Sequence, residues 1–175
     1  MQHYMPNLTG TWKLDVNKSD SVLSYLLSLG VPELAAQASS KLADIICIDQ
    51  TSDVMNITRM SRYGKDIKHL KFGEEISVKS VMGGNHKIIC AAYPDCIKTT
   101  TTFAQNRGHL VDTRRLEDGG RCMHTTLQYI TADGKEITYN RFFTKSAYTA
   151  EELIAQSEDI GRIKSPKEDD FESDE

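Results

Sequence analysis

Gly10-Thr11-Trp12-Lys13-Leu14, then Val22-Leu23-Ser24-Tyr25-Leu26-Leu27, then an apolar run through Val31, Leu34, Ala35, Ala38 and Leu42, decide the fold. The first stretch reads as the middle of a strand over residues 8–16, with Leu8, Trp12 and Leu14 on one face. Ser19-Asp20-Ser21 offers N-cap side chains to the helix that follows, and Gly30 stands where a C′ glycine ends one. Pro32 occupies the first position of the next helix, whose apolar residues fall at i, i+3, i+4, i+7 and i+11. Neither helix is long enough to persist alone in water. Each must cover an apolar surface, and the mouth of a barrel is one.

From residue 45 onward, strand-like segments alternate with turn signals. The segments are 45–49, 55–61, 67–72, 75–81, 86–92, 97–104, 109–116, 122–130 and 135–143. Tyr63-Gly64-Lys65-Asp66, Gly83-Gly84-Asn85, Asn106-Arg107-Gly108, Asp118-Gly119-Gly120 and Asp133-Gly134 are among the punctuators, and Asp-Gly is a strong hairpin signal. With the first strand this makes ten. An open meander of that size leaves two unpaired edges, which closure removes. The expected class is mainly β: a ten-stranded antiparallel up-and-down barrel with a helix–turn–helix lid after strand one. The barrel takes residues 7–145. Residues 146–175 are expected to form a short helix, opening at Thr149-Ala150-Glu151-Glu152, and from Gly161 a disordered acidic tail.

Formal net charge is −4, unevenly spread. Residues 146–175 hold ten acids and three bases, or −7, which leaves +3 on residues 1–145. No basic cluster, zinc motif or RNA-binding motif occurs, which argues against a nucleic-acid partner. A mildly basic barrel suits an anionic small ligand. No apolar run approaches the roughly 18 residues of a membrane span. Met1-Gln2-His3-Tyr4-Met5-Pro6 lacks the basic start and apolar stretch of a signal peptide, so a cytoplasmic location is expected. Cys47, Cys90, Cys96 and Cys122 form no C-x-x-C pair; they read as free thiols, although Cys90 and Cys96 flank one turn and could pair under oxidation. No hydrolase elbow, P-loop or H-E-x-x-H spacing is present, so no catalytic residue, metal or cofactor is expected. A histidine inside a small barrel could ligate haem, and His124 is the candidate if it faces inward.

These residues resemble the intracellular fatty-acid-binding proteins of the calycin superfamily, the lipocalin-like group. Gly10-Thr11-Trp12-Lys13-Leu14 is similar to the family's opening G-T-W-K-L. Tyr25-Leu26-Leu27-Ser28-Leu29-Gly30-Val31 looks like its Y-x-x-x-x-G-V helix–turn–helix, and Lys71-Phe72-Gly73-Glu74-Glu75 like its L-G-x-E-F element. The resemblance implies a lipid-carrying barrel whose ligand carboxylate is held by two arginines and a tyrosine. Arg141-Phe142-Phe143 stands where the family has R-x-Y, so Phe143 replaces the tyrosine. Arg114, in Thr113-Arg114-Arg115-Leu116-Glu117-Asp118, takes the other arginine's position.

Alternation across a strand gives consequences of its own. If Arg141 points inward, so do Ile137, Tyr139 and Phe143; if Arg114 does, so do Leu110, Asp112 and Leu116, while Thr113 and Arg115 face water. A buried guanidinium needs a carboxylate, a phosphate or ordered water. A fatty-acid headgroup suits its bidentate fork, with Tyr139 one inward step from the missing hydroxyl. Asp112 opposes this, because it can neutralise one arginine. Alternatively both arginines pair with Asp112 and neighbouring acids and serve only packing. Leu26, Leu27 and Leu34 are expected under the lid, as core or as ligand contacts. The expected function is non-catalytic binding and transport of a fatty acid or similar hydrophobic anion by a monomer without stable membrane insertion. The alternative is a protein-interaction domain with a filled core, whose acidic tail contacts a protein partner.

Overall fold

The structure, a computed structural model, describes residues 5–28, 30–40, 45–61, 64–80 and 83–156. The chain folds as β1 (Gly10–Leu14), α1 (Leu23–Ser28), α2 (Glu33–Ser40) and then nine further strands. These are β2 (Ile45–Gln50), β3 (Val54–Ser61), β4 (Gly64–Lys71), β5 (Glu75–Lys79), β6 (Asn85–Ala92), β7 (Ile97–Thr102), β8 (His109–Glu117), β9 (Cys122–Ile130) and β10 (Glu136–Ser146). A last helix, α3, runs over residues 150–156. The acidic tail expected beyond it lies outside the described residues, as does Leu42.

Every ladder is antiparallel and joins chain neighbours, and β1 returns to pair with β10, so the order is β4-β3-β2-β1-β10-β9-β8-β7-β6-β5. The barrel is nearly closed rather than closed. No ladder joins β4 to β5, which corrects the expectation that closure would remove both edges. Those edges carry Lys65, His69 and Lys71 on β4 and Glu75 and Lys79 on β5, all exposed, which discourages strand addition. The Gly64-Lys65-Asp66 stretch, read as turn, is the start of β4 instead, so that strand is three residues longer at this end than expected.

Apolar residues at every second position build the core. Leu8, Trp12, Leu14, Ile46, Ile48, Met55, Leu70, Ile88, Ile97, Met123 and Phe143 are buried in one cluster. The Trp12 indole N–H donates to the Leu8 carbonyl at 2.8 Å, so its polar atom is satisfied inside hydrocarbon. Cys90 and Cys96 are both buried free thiols, and Cys90 accepts a bond from Thr99 at 3.6 Å. Gly108, at φ +92°, is required by crowding: a Cβ there would stand 2.1 Å from the Ile130 carbonyl oxygen.

α3 packs outside the barrel. Thr149 and Glu152 exchange reciprocal 3.2 Å side-chain bonds to each other's backbone N–H, a capping box. Ala150 and Leu153 then bury against Ile45 and Met60, which face away from the cavity. Leu153→Ala is expected to cost about 2–5 kcal/mol. Urea denaturation followed by the single Trp12 should show a lower midpoint with an unchanged slope.

Candidate functional site: the barrel cavity

Two features hold the lid in place. Segment 15–20 continues alongside β10: the Asp15 N–H donates to the Phe142 carbonyl at 2.7 Å, Ser19 Oγ accepts the Phe142 N–H at 2.9 Å, and Asp20 Oδ2 accepts the Asn140 N–H at 2.8 Å. Only Ser21 remains as a cap, accepting the Leu23 N–H at 3.2 Å. At the other end of α1, Val31 N–H reaches the Leu26 carbonyl and Gly30 N–H the Leu27 carbonyl, with Gly30 at φ +83°. That pair of bonds is a Schellman motif, as the C′ reading of Gly30 expected.

α1 turns Val22, Tyr25 and Leu26 (spaced i, i+3, i+4) onto a cavity of about 250 Å³. Register stacks its wall in layers. Ile97, Arg114, Thr125 and Arg141 are successive cross-strand partners on β7 to β10. Thr99, Asp112, Leu127 and Tyr139 form the layer nearer the lid. Leu116, Met123, Phe143 and Leu14 form an apolar floor on the other side. Across the cavity, Arg59 on β3 pairs in register with Asp66 on β4, and Lys68 Nζ lies 2.5 Å from Asp66 Oδ2.

Arg114 and Arg141 are only 8 % and 7 % exposed. Arg114 Nη2 sits 2.7 Å from Asp112 Oδ2. Burial pushes the Asp112 carboxyl up, against the pull of Arg114 first and of Arg59 and Lys68 after it. Burial also pushes the Tyr25 and Tyr139 phenols up, so both stay protonated and able to donate. The lining carries Arg59, Lys68, Arg114 and Arg141 against Asp66 and Asp112, an excess of two positive charges. Chemically, this wall can hold an anion on protonated donors while its apolar floor accepts hydrocarbon.

Solved structures share the architecture. A Schistosoma mansoni fatty acid binding protein in complex with arachidonic acid aligns with a TM-score of 0.67 and 22 % identity, over 82 % of this chain and 98 % of that one. The chain has the fatty-acid-binding-protein fold. A fatty acid-binding protein from Drosophila melanogaster brain tissue gives 0.64 and 20 % identity over 79 % and 99 % of the two chains. Human cRBP IV gives 0.63 and 21 % over 81 % and 99 %. No protein-family model matches the sequence, and no curated protein matches it.

Within this fold, Arg114, Arg141, Tyr139, Phe143, Asp112 and Leu26 all line the cavity. Leu27 and Leu34 do not. They are 43 % and 83 % exposed, which corrects their placement under the lid. Leu27 lies 100° around α1 from Leu26 and so faces water. Among the described side chains of α2, Ala36 is buried and lies roughly 200° around the helix from Leu34. Thr113, expected to face water, is buried instead. His124 faces away from the cavity: its Nδ1 lies 2.8 Å from Glu117, its Nε2 2.9 Å from Asn140, and its ring stacks on Phe142. That removes it as an inward haem ligand.

Sequence reading missed Tyr25, Arg59, Asp66, Lys68 and Thr125. Alternation with Ile57 and Leu70 flags Arg59 and Lys68 within the expected strands, and Asp66 once β4 is started at Gly64. Tyr25 anchors the lid through rings, with centroids 5.2 Å from Tyr129 and 5.6 Å from Tyr139. The ring contacts continue from Tyr129 to Phe103 at 5.9 Å and from Phe103 to His86 at 5.2 Å.

His86 Nδ1 accepts the Ala104 N–H at 2.9 Å, so Nε2 carries the proton in the neutral ring. Burial, then Arg107 and Lys68, lower its pKa below the ordinary 6.5. A depressed histidine contributes stability that is present above the unfolded value and is lost as pH falls through the folded one. NMR titration should place His86 below 6.5, and His86→Gln should flatten the fall in Tm beneath that pH.

Proposed function

We propose that the barrel binds one fatty acid or similar hydrophobic anion and carries it without chemical change. The observation that carries this reading is the Arg114–Thr125–Arg141 layer set above an apolar floor inside the barrel cavity. A carboxylate on that layer would meet two guanidiniums in a region of low dielectric, where each charge-assisted bond is strong. Tyr139 stands in for the hydroxyl that Phe143 lacks. The similar structures support the reading, since the Schistosoma mansoni protein is in complex with arachidonic acid. The volume of about 250 Å³ lies at the lower edge of small-molecule sites, which favours one ligand over two. It also weighs against the filled-core interaction domain. On this reading the protein acts as a cytoplasmic monomer, and its acidic C-terminal segment (residues 146–175), which includes the packed helix α3, contributes the contact with a protein partner. None of the described helices is long and apolar enough to cross a membrane.

Displacement of a fluorescent fatty acid by dodecanoate and by dodecanol tests the reading. Arg141→Ala should weaken dodecanoate by about 10- to 100-fold, the worth of a hydrogen bond to a charged group, and leave dodecanol nearly unchanged. Equal losses for both would remove the headgroup role. Failure of either compound to displace the probe from the parent protein would end the lipid-carrier reading. Arg114→Ala should cost more stability than Arg141→Ala, because it strands the buried Asp112 carboxylate. Thermal unfolding of the two variants compares them directly.

A further inference from the structure

We propose that the preferred ligand carries a hydroxyl beside its carboxylate, as in a 2- or 3-hydroxy fatty acid. This rests on the lipid-carrier reading and names the substrate class of the same site. Among the fully buried polar atoms of the cavity wall that lack a hydrogen-bond partner are Asp112 Oδ1, Arg114 Nε and Thr125 Oγ1. They are contiguous. Asp112 is ion-paired to Arg114, and Thr125 is the cross-strand partner of Arg114.

Their chemistry differs in a way that selects the ligand. Arg114 Nε can only donate, so it asks for an acceptor. Asp112 Oδ1 in its ionised form can only accept, so it asks for a donor. Thr125 Oγ1 can do either. A plain carboxylate supplies acceptors alone. It satisfies the arginine but sets its own negative charge next to an open carboxylate oxygen of Asp112. A hydroxyl one or two carbons from the carboxylate supplies the missing donor within the few ångströms that separate these groups. An unsatisfied buried carboxylate oxygen is costly, so a site of this kind rejects the ligand that lacks the hydroxyl more strongly than it rejects a change of chain length. Tyr139 and Tyr25, both kept protonated, only add donors for the anionic end.

The test compares dodecanoate, 2-hydroxydodecanoate and 3-hydroxydodecanoate by calorimetry on the full chain, the Asp112→Asn variant and the Thr125→Val variant. At least one hydroxy acid should bind the parent protein about tenfold more tightly than dodecanoate. Asp112→Asn removes the repulsion, so dodecanoate should tighten and the preference shrink to about twofold or less. Thr125→Val, a near-isosteric change of an uncharged side chain, should reduce the preference without the loss of fold that disturbing the ion pair risks. Equal affinities for all three acids in the parent protein would overturn the inference while leaving the carrier reading standing. A preference that survives unchanged in both variants would also overturn it, since the hydroxyl would then be read elsewhere. No binding of any acid would end the carrier reading itself.

Discussion

Burying two guanidiniums inside an oily barrel is the constraint on which the site depends. Neither Arg114 nor Arg141 has a route to bulk water comparable to a surface side chain, and desolvating a cation is expensive. The fold tolerates it by placing them one strand apart on either side of Thr125 and by setting Asp112 against Arg114. An ion pair of this kind leaves part of its hydrogen-bonding capacity unused. On this wall the unmet capacity lies at Asp112 Oδ1 and Arg114 Nε.

The layers on each side serve the charge. Below it, Leu14, Met123, Phe143 and Leu116 are apolar, and with Trp12 they exclude water from the floor. Above it, α1 closes the space and is held from three directions. The strap from Asp15 to Asp20 ties its start to β10, the Schellman motif fixes its end, and Tyr25 locks into the rings of Tyr129 and Tyr139. Tyr25 both anchors the lid and lines the cavity. α3 stands apart from this system and stiffens the outer face of β2 and β3.

Alternation made much of this legible in advance. The strand carrying Trp12, the helical pair after it and the shared face of Arg141, Tyr139 and Phe143 follow from period-2 and period-3.6 patterns, the Asp-Gly turns from turn chemistry. The errors arose where a local signal competed with a longer-range one. Gly64-Lys65-Asp66 has turn chemistry, yet pairing with β3 extends the strand through it, and Asp66 enters the site as a result. The apolar positions of α2 suggested a buried Leu34, but Leu34 is exposed while Ala36, on the other side of the helix, is buried.

From the chain alone came the class of barrel and its lid and, through the family resemblance, the expectation that Arg114 and Arg141 point inward. Alternation added which neighbours share their face, a local property, although a one-residue slip in register would have turned each set outward. Only the tertiary structure decided which cations meet which acids. Arg59 and Lys68 come to the cavity from the opposite wall, and Thr125 falls between the arginines through the registers of two separate ladders. Closure of the sheet brings strands far apart in sequence within a few ångströms, and no periodicity along one strand encodes that distance.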